Sequence, residues 1–111
     1  MQNMKVKVYR ELDNQITKLA TEFPIELENE YVKNGGTVQQ KFFDEFKDKT
    51  RPKVLGLVTL VKEEYEGNIK RGFDCIPVTP TDDCDFSAIC HFCIGTGVGD
   101  ERFLLKATIQ E

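Results

Sequence analysis

The sequence predicts an α+β fold, with N-terminal helices packed on a mostly antiparallel sheet of four to five strands. Three observations carry this expectation. Apolar residues in the first half recur at helical spacing, and from Lys53 onward they alternate or run on as in strands. The 111 residues, 40% hydrophobic and 31% charged, have the composition of one ordinary domain spanning residues 1–111. Eight Phe and three Tyr supply a core and argue against a disordered chain.

Met4 to Tyr9 alternates Val6 and Val8 with lysines, which suits a short edge strand. Leu12, Ile16, Leu19, Ala20 and Phe23 then fall at helical spacing, with Asp13 as a cap. Pro24 ends this stretch or opens a second helix, whose stripe of Ile25, Leu27, Tyr31 and Val32 stops at Asn34-Gly35-Gly36. Thr37 with Gln40 matches a capping box. The helix it opens puts Val38, Phe42, Phe43 and Phe46 on one side and ends before Arg51-Pro52.

Val54 to Lys62 is apolar on both faces, as in a central strand, and Glu66-Gly67-Asn68 marks a turn. Ile69 to Val78 forms a second extended segment, closed by Pro77 and Pro80. Phe86 to Ile94 is a third strand. Arg102 to Gln110 is the fourth, with Phe103, Leu105, Ala107 and Ile109 on one face and Arg102, Lys106 and Gln110 on the other. The expected shared core joins Phe42, Phe46, Leu55, Leu57, Leu60, Phe103, Leu105 and Ile109.

Fifteen Lys and Arg stand against nineteen Asp and Glu, a net charge of −4. The bases are scattered, with Lys5, Lys7 and Arg10 the densest group, which disfavours nucleic acid as a partner. No apolar run approaches the ~20 residues that span a bilayer. Met1 to Arg10 lacks the apolar core of a secretory leader, so a reducing cytoplasm is the expected location.

The chemistry-bearing stretch is Phe73 to Glu101. It holds all four cysteines, the one histidine, the one serine and six acids, with no Lys or Arg. The thiols run Cys75-x8-Cys84-x5-Cys90-x2-Cys93. Four thiolates suit tetrahedral zinc, so Cys75, Cys84, Cys90 and Cys93 are the candidate ligands of a zinc-stabilised module. The segment Cys90-His91-Phe92-Cys93-Ile94-Gly95-Thr96-Gly97 resembles the C-x-x-C-x-G-x-G knuckle of the cysteine-rich domain of Hsp40 chaperones. That resemblance implies zinc, but the family pairs its knuckles, and this sequence holds one copy.

Strand geometry favours another reading. On a strand from Phe86 to Ile94, Cys90 and Cys93 point to opposite faces and cannot share an ion, so packing thiols and no cofactor are expected. A disulfide is the third option, with Cys75–Cys84 the favoured pair across the proline loop. Ser87, His91 and Asp85 are the residue types of a nucleophilic triad, but strand spacing separates Ser87 from His91 by about 13–14 Å. Gly95 to Asp100 reads as a hairpin turn ahead of a phosphate loop, because a strand follows it.

The function expected from size, acidity and these weighings is that of a small non-enzymatic cytosolic protein-binding factor: a regulator, inhibitor or immunity-type protein. The loop from Thr79 to Asp85, with Asp82, Asp83 and Asp85 and no compensating base, is its expected contact with a basic protein surface. The zinc module and a small thiol-dependent enzyme are the alternatives.

Overall fold

Met4, Val6 and Val8 are fully buried, and Lys5 and Lys7 between them are exposed. This period of two makes the N-terminal segment a strand with one face in the core. A computed structural model describes residues 1–12, 15–35, 37–57, 71–94 and 101–111; at Leu12, Ile16, Thr17, Asn34, Arg71, Gly72, Phe92, Cys93, Ile94 and Glu101 it describes the backbone. Strand β1 (Gln2–Leu12) forms a hairpin with β2 (Gln15–Leu27). A two-residue ladder of β3 (Lys33–Asn34) and β4 (Thr37–Val38) leads into helix α1 (Gln40–Leu55). The meander β5 (Arg71–Val78), β6 (Phe86–Ile94) and β7 (Glu101–Gln110) then returns the chain to β1. The result is one antiparallel sheet in the order β2-β1-β7-β6-β5, with α1 on one face.

The class is therefore mainly β; of the expected N-terminal helices the one after Thr37 forms, as α1, and those expected between Leu12 and Val32 are absent among the described residues. The stretch from Leu12 to Val32 satisfies two periods at once, and pairing decides between them. Phe23, Ile25 and Leu27 are buried at alternate positions, opposite Val6, Met4 and Gln2. As a helix this stretch would lose a backbone bond at Pro24. As strand β2, which among the described residues pairs with β1 alone, it lies at the edge of the described sheet, where proline is tolerated. Met4–Tyr9 is likewise no short edge strand but part of an 11-residue strand between β2 and β7.

The expected central strand from Val54 fails at its start, since Val54 and Leu55 close α1. Pro52 sits in the last helical turn, where it is exposed, and the buried Thr50 and Val54 hold that turn to the core. Gly56 and Leu57 form a turn, and residues 58–70, including Leu60 and the Glu66-Gly67-Asn68 turn, lie outside the described residues. The capping box is not formed either. Thr37 belongs to β4, Gln39 is the N-cap without a side-chain bond, and Gly35 turns the β3–β4 hairpin at φ 56°. The left-handed conformation costs glycine little, which is why the residue belongs in this turn.

Of the expected core, Phe42, Phe46, Phe103 and Leu105 are buried, and Leu55, Leu57 and Ile109 pack partly buried against them. Polar clips fasten the turn after β2. Glu45 of α1 accepts hydrogen bonds from the Glu28 and Asn29 amides at 2.7 and 2.9 Å and from the Asn29 side chain at 2.9 Å. The Tyr31 amide donates to Gln2 Oε1 at 2.8 Å. Burial opposes the charged form of Glu45, but these bonds outweigh it and hold the carboxyl below its ordinary value of 4.5.

Two outcomes are expected. Phe103→Ala should cost ~3–5 kcal/mol in urea unfolding, as for a fully buried aromatic, and a loss below about 1 kcal/mol would show that β7 is not packed as described. The lowered carboxyl gives Glu45 a stabilising effect that is present above pH 4.5 and fades as the pH falls through the lower folded value. Melting temperatures of the native chain and Glu45→Gln should therefore differ near neutrality and converge in acid. Parallel curves would remove the clip's charge from the account.

Candidate functional site

The β5–β6 register sets the geometry of the cysteine region. Cys75 lies directly opposite Cys90, and the two form a disulfide, with Cα atoms 4.1 Å apart. The expected Cys75–Cys84 pair is thus corrected. Cys90 is fully buried on the face that α1 covers, whereas the Cys84 thiol meets Ser87 Oγ at 3.1 Å on the opposite side of the sheet. Cys84 is a free thiol. The register was within reach of the sequence: a hairpin closing on Val78 and Ser87 places Cys75 against Cys90.

The four candidate zinc ligands are therefore not gathered. Two sulfurs are spent in a covalent bond, Cys84 is turned away, and the Cys93 side chain lies outside the described residues. Among the described residues no group of three metal-ligating side chains forms. The triad types are also dispersed. Ser87 bonds Cys84, His91 stands four residues along β6 opposite Arg102, and Asp85 is bonded elsewhere. The glycine turn from Gly95 to Asp100 lies outside the described residues.

The acidic loop has a base after all. Lys106 of β7 donates to Asp83 at 3.1 and 3.3 Å. Hydrogen bonds from the Thr81 hydroxyl and from Lys106 hold the Asp83 carboxyl below the usual carboxylate range, and the bond to Asp83 raises Lys106. This pairing answers a local problem, because Lys106 lies directly opposite Lys7, and like charges so placed repel. Asp85, though exposed, extends the ladder. Its amide donates to the Ala107 carbonyl at 2.9 Å, and its Oδ2 accepts the Ile109 amide at 2.7 Å. Asp82 is exposed on the turn. The loop leans over the sheet face opposite α1, which is why Ser87 on that face is only 2% exposed.

The remainder of this outer face carries a pattern that the strand-by-strand reading missed. The registers align Ile76 with Ile89, Ile89 with Leu104, Leu104 with Tyr9 and Tyr9 with Leu19. An apolar row thus crosses all five strands. Its ends are open, with Ile76 61% and Leu19 48% exposed, and its middle is half-buried. Charged rows flank it. One aligns Asp74, His91 and Arg102, and Arg102 reaches Glu11 at 3.4 Å. The other holds Ser87, Lys106, Lys7 and Glu22. The signal in the sequence was Leu104, an apolar residue between Arg102 and Lys106 on a face otherwise polar.

Comparison with protein families, curated proteins and solved structures gives no match to this chain.

The disulfide closes a loop of 15 residues, for which restriction of the unfolded chain contributes about 3 kcal/mol. Urea unfolding of the oxidised chain should show that difference from the dithiothreitol-reduced chain and from Cys75→Ala/Cys90→Ala. Midpoints that coincide would mean that the two sulfurs are not joined.

Proposed function

We propose that the protein is a small non-enzymatic binding factor that engages a protein partner through the outer face of its sheet. The observation that carries this reading is the apolar row of Ile76, Ile89, Leu104, Tyr9 and Leu19, aligned by register across five strands and left open by the helix. A contiguous apolar patch rimmed by charge is the usual anatomy of a contact surface. The face measures roughly 24 by 30 Å from strand spacing and rise, close to the ~800 Å² per partner of a standard interface.

Charge selects the partner. The acidic loop borders the row, with Asp82 exposed and Asp83 61% exposed beside Lys106, and the chain carries a net charge of −4. The complementary surface is an apolar strip with Lys or Arg along the edge that meets this loop, in a regulator, inhibitor or immunity-type relationship. Within this reading Asp85 supports the loop, and Asp82 and Asp83 form its rim. The Cys75–Cys90 bond favours an oxidising compartment over the cytoplasm expected from the N-terminal residues, and it favours a staple over zinc as the role of those cysteines.

Photo-cross-linking from position 76, with position 49 on the exposed side of α1 as the control, tests this surface. A partner recovered only from position 76 should, once purified, bind Leu104→Asp about tenfold more weakly and associate more slowly with Asp82→Lys at low salt. Identical products from both positions, recovery of a second copy of this chain alone, or an affinity indifferent to Leu104→Asp would overturn the reading.

A further inference from the structure

Near the Leu12–Gln15 end of the β1–β2 ladder two cations lie side by side. Arg10 lies directly opposite Lys18 across the ladder, and register shifts fall on both sides of this pair, between Val8 and Tyr9 and between Arg10 and Glu11. Like charges placed so repel, and bulges re-aim the side chains beside them. Among the described residues no acid pairs with either cation. Glu11, the nearest in sequence, is bonded to Arg102. Arg10 is nonetheless held in place, donating from Nη2 to the Leu57 carbonyl at 2.6 Å with its guanidinium 5.8 Å from the centre of the Phe103 ring. One of its five donors is thus committed, and among the described residues no side chain takes the others. Arg10, Lys18, Leu19, Ala20 and Leu57 line a cleft of about 340 Å³, at the small end of the range for ligand sites.

We infer that this cleft binds a small organic acid. Its carboxylate lies between Arg10 and Lys18, and its apolar body rests on Ala20 and Leu57. A planar guanidinium matches a carboxylate through two parallel hydrogen bonds, and the ammonium adds a point charge. The apolar part of the lining is what separates such an acid from a bare anion. An acid in this position cancels the repulsion between the two cations, so binding and hairpin stability rise together. The inference does not rest on the proposed protein partner, and Lys18 lies off the apolar row.

The test titrates the full oxidised chain at low salt with benzoate, using benzamide as the uncharged isostere and inorganic phosphate as the bare anion, read by amide chemical shifts and calorimetry. Benzoate is expected to saturate, to move the amides of Arg10, Lys18 and Leu57, and to raise the melting temperature. Benzamide and phosphate should bind at least about tenfold more weakly. Lys18→Gln, an exposed position, should weaken benzoate about tenfold with unaltered folding, while Lys49→Gln on α1 should change nothing. Equal binding of benzoate and benzamide, phosphate binding as tightly as benzoate, indifference to Lys18→Gln, or no saturation by about 10 mM would each overturn the assignment.

Discussion

Phe86 is the residue on which the arrangement of helix and sheet depends. It opens β6, and its ring meets Phe42 at 5.1 Å, Phe46 at 5.0 Å and Phe43 at 6.1 Å, all from α1, and Tyr31 at 5.4 Å from the segment after β2. Three of these contacts are edge-to-face, the geometry that ring quadrupoles favour. Ala88 on the same strand and Ala107 opposite Phe86 are both fully buried, and their small side chains leave room for the rings above the sheet. A single aromatic centre thus binds helix, loop and meander on one face, and leaves the other face to different forces.

The parts of the fold legible in the sequence were those where one period stood alone. Strand β6 spans Phe86–Ile94 and β7 reaches Gln110, because their alternation competes with no helical stripe. The Phe42, Phe43 and Phe46 stripe of α1 is read directly for the same reason. β2 was not legible, since Leu12, Ile16, Leu19 and Phe23 also fit a helix. What excluded the helix was nonlocal: one edge of β1 carries backbone donors and acceptors that β2 satisfies by pairing along its length. The C-terminus of α1 was misplaced because a local rule about the residue before proline yielded to the burial of Thr50 and Val54 on either side of Pro52.

The site was legible by residue type and illegible by register. The segment Phe73 to Glu101 was singled out for its cysteines and acids, and it does hold the disulfide and the loop that leans on the outer face. Which cysteine pairs with which, and which acid is consumed, depends on the alignment of β5, β6 and β7. One step of register makes Cys75 face Cys90 and lets Lys106 reach Asp83. The apolar row is a stronger case of the same limit. Its five members come from five strands, so no window of sequence contains them together.

The disulfide and the outer face are mechanically joined. Among the described residues β5 pairs laterally with β6 alone, and Pro77 removes one donor from its backbone. Such a strand separates from its sheet at low cost unless something else fixes it. The bond from Cys75 to the buried Cys90 supplies that fixture on the core side, one residue from Ile76 at the end of the apolar row. On the outer side Asp83–Lys106 and Cys84–Ser87 hold the loop that follows. Ile76 and the acidic rim therefore keep their spacing through one covalent and two polar contacts that straddle the sheet. A sheet edge whose outward apolar residues are open to solvent needs this kind of support, because those residues bury little area and contribute little to holding it in shape.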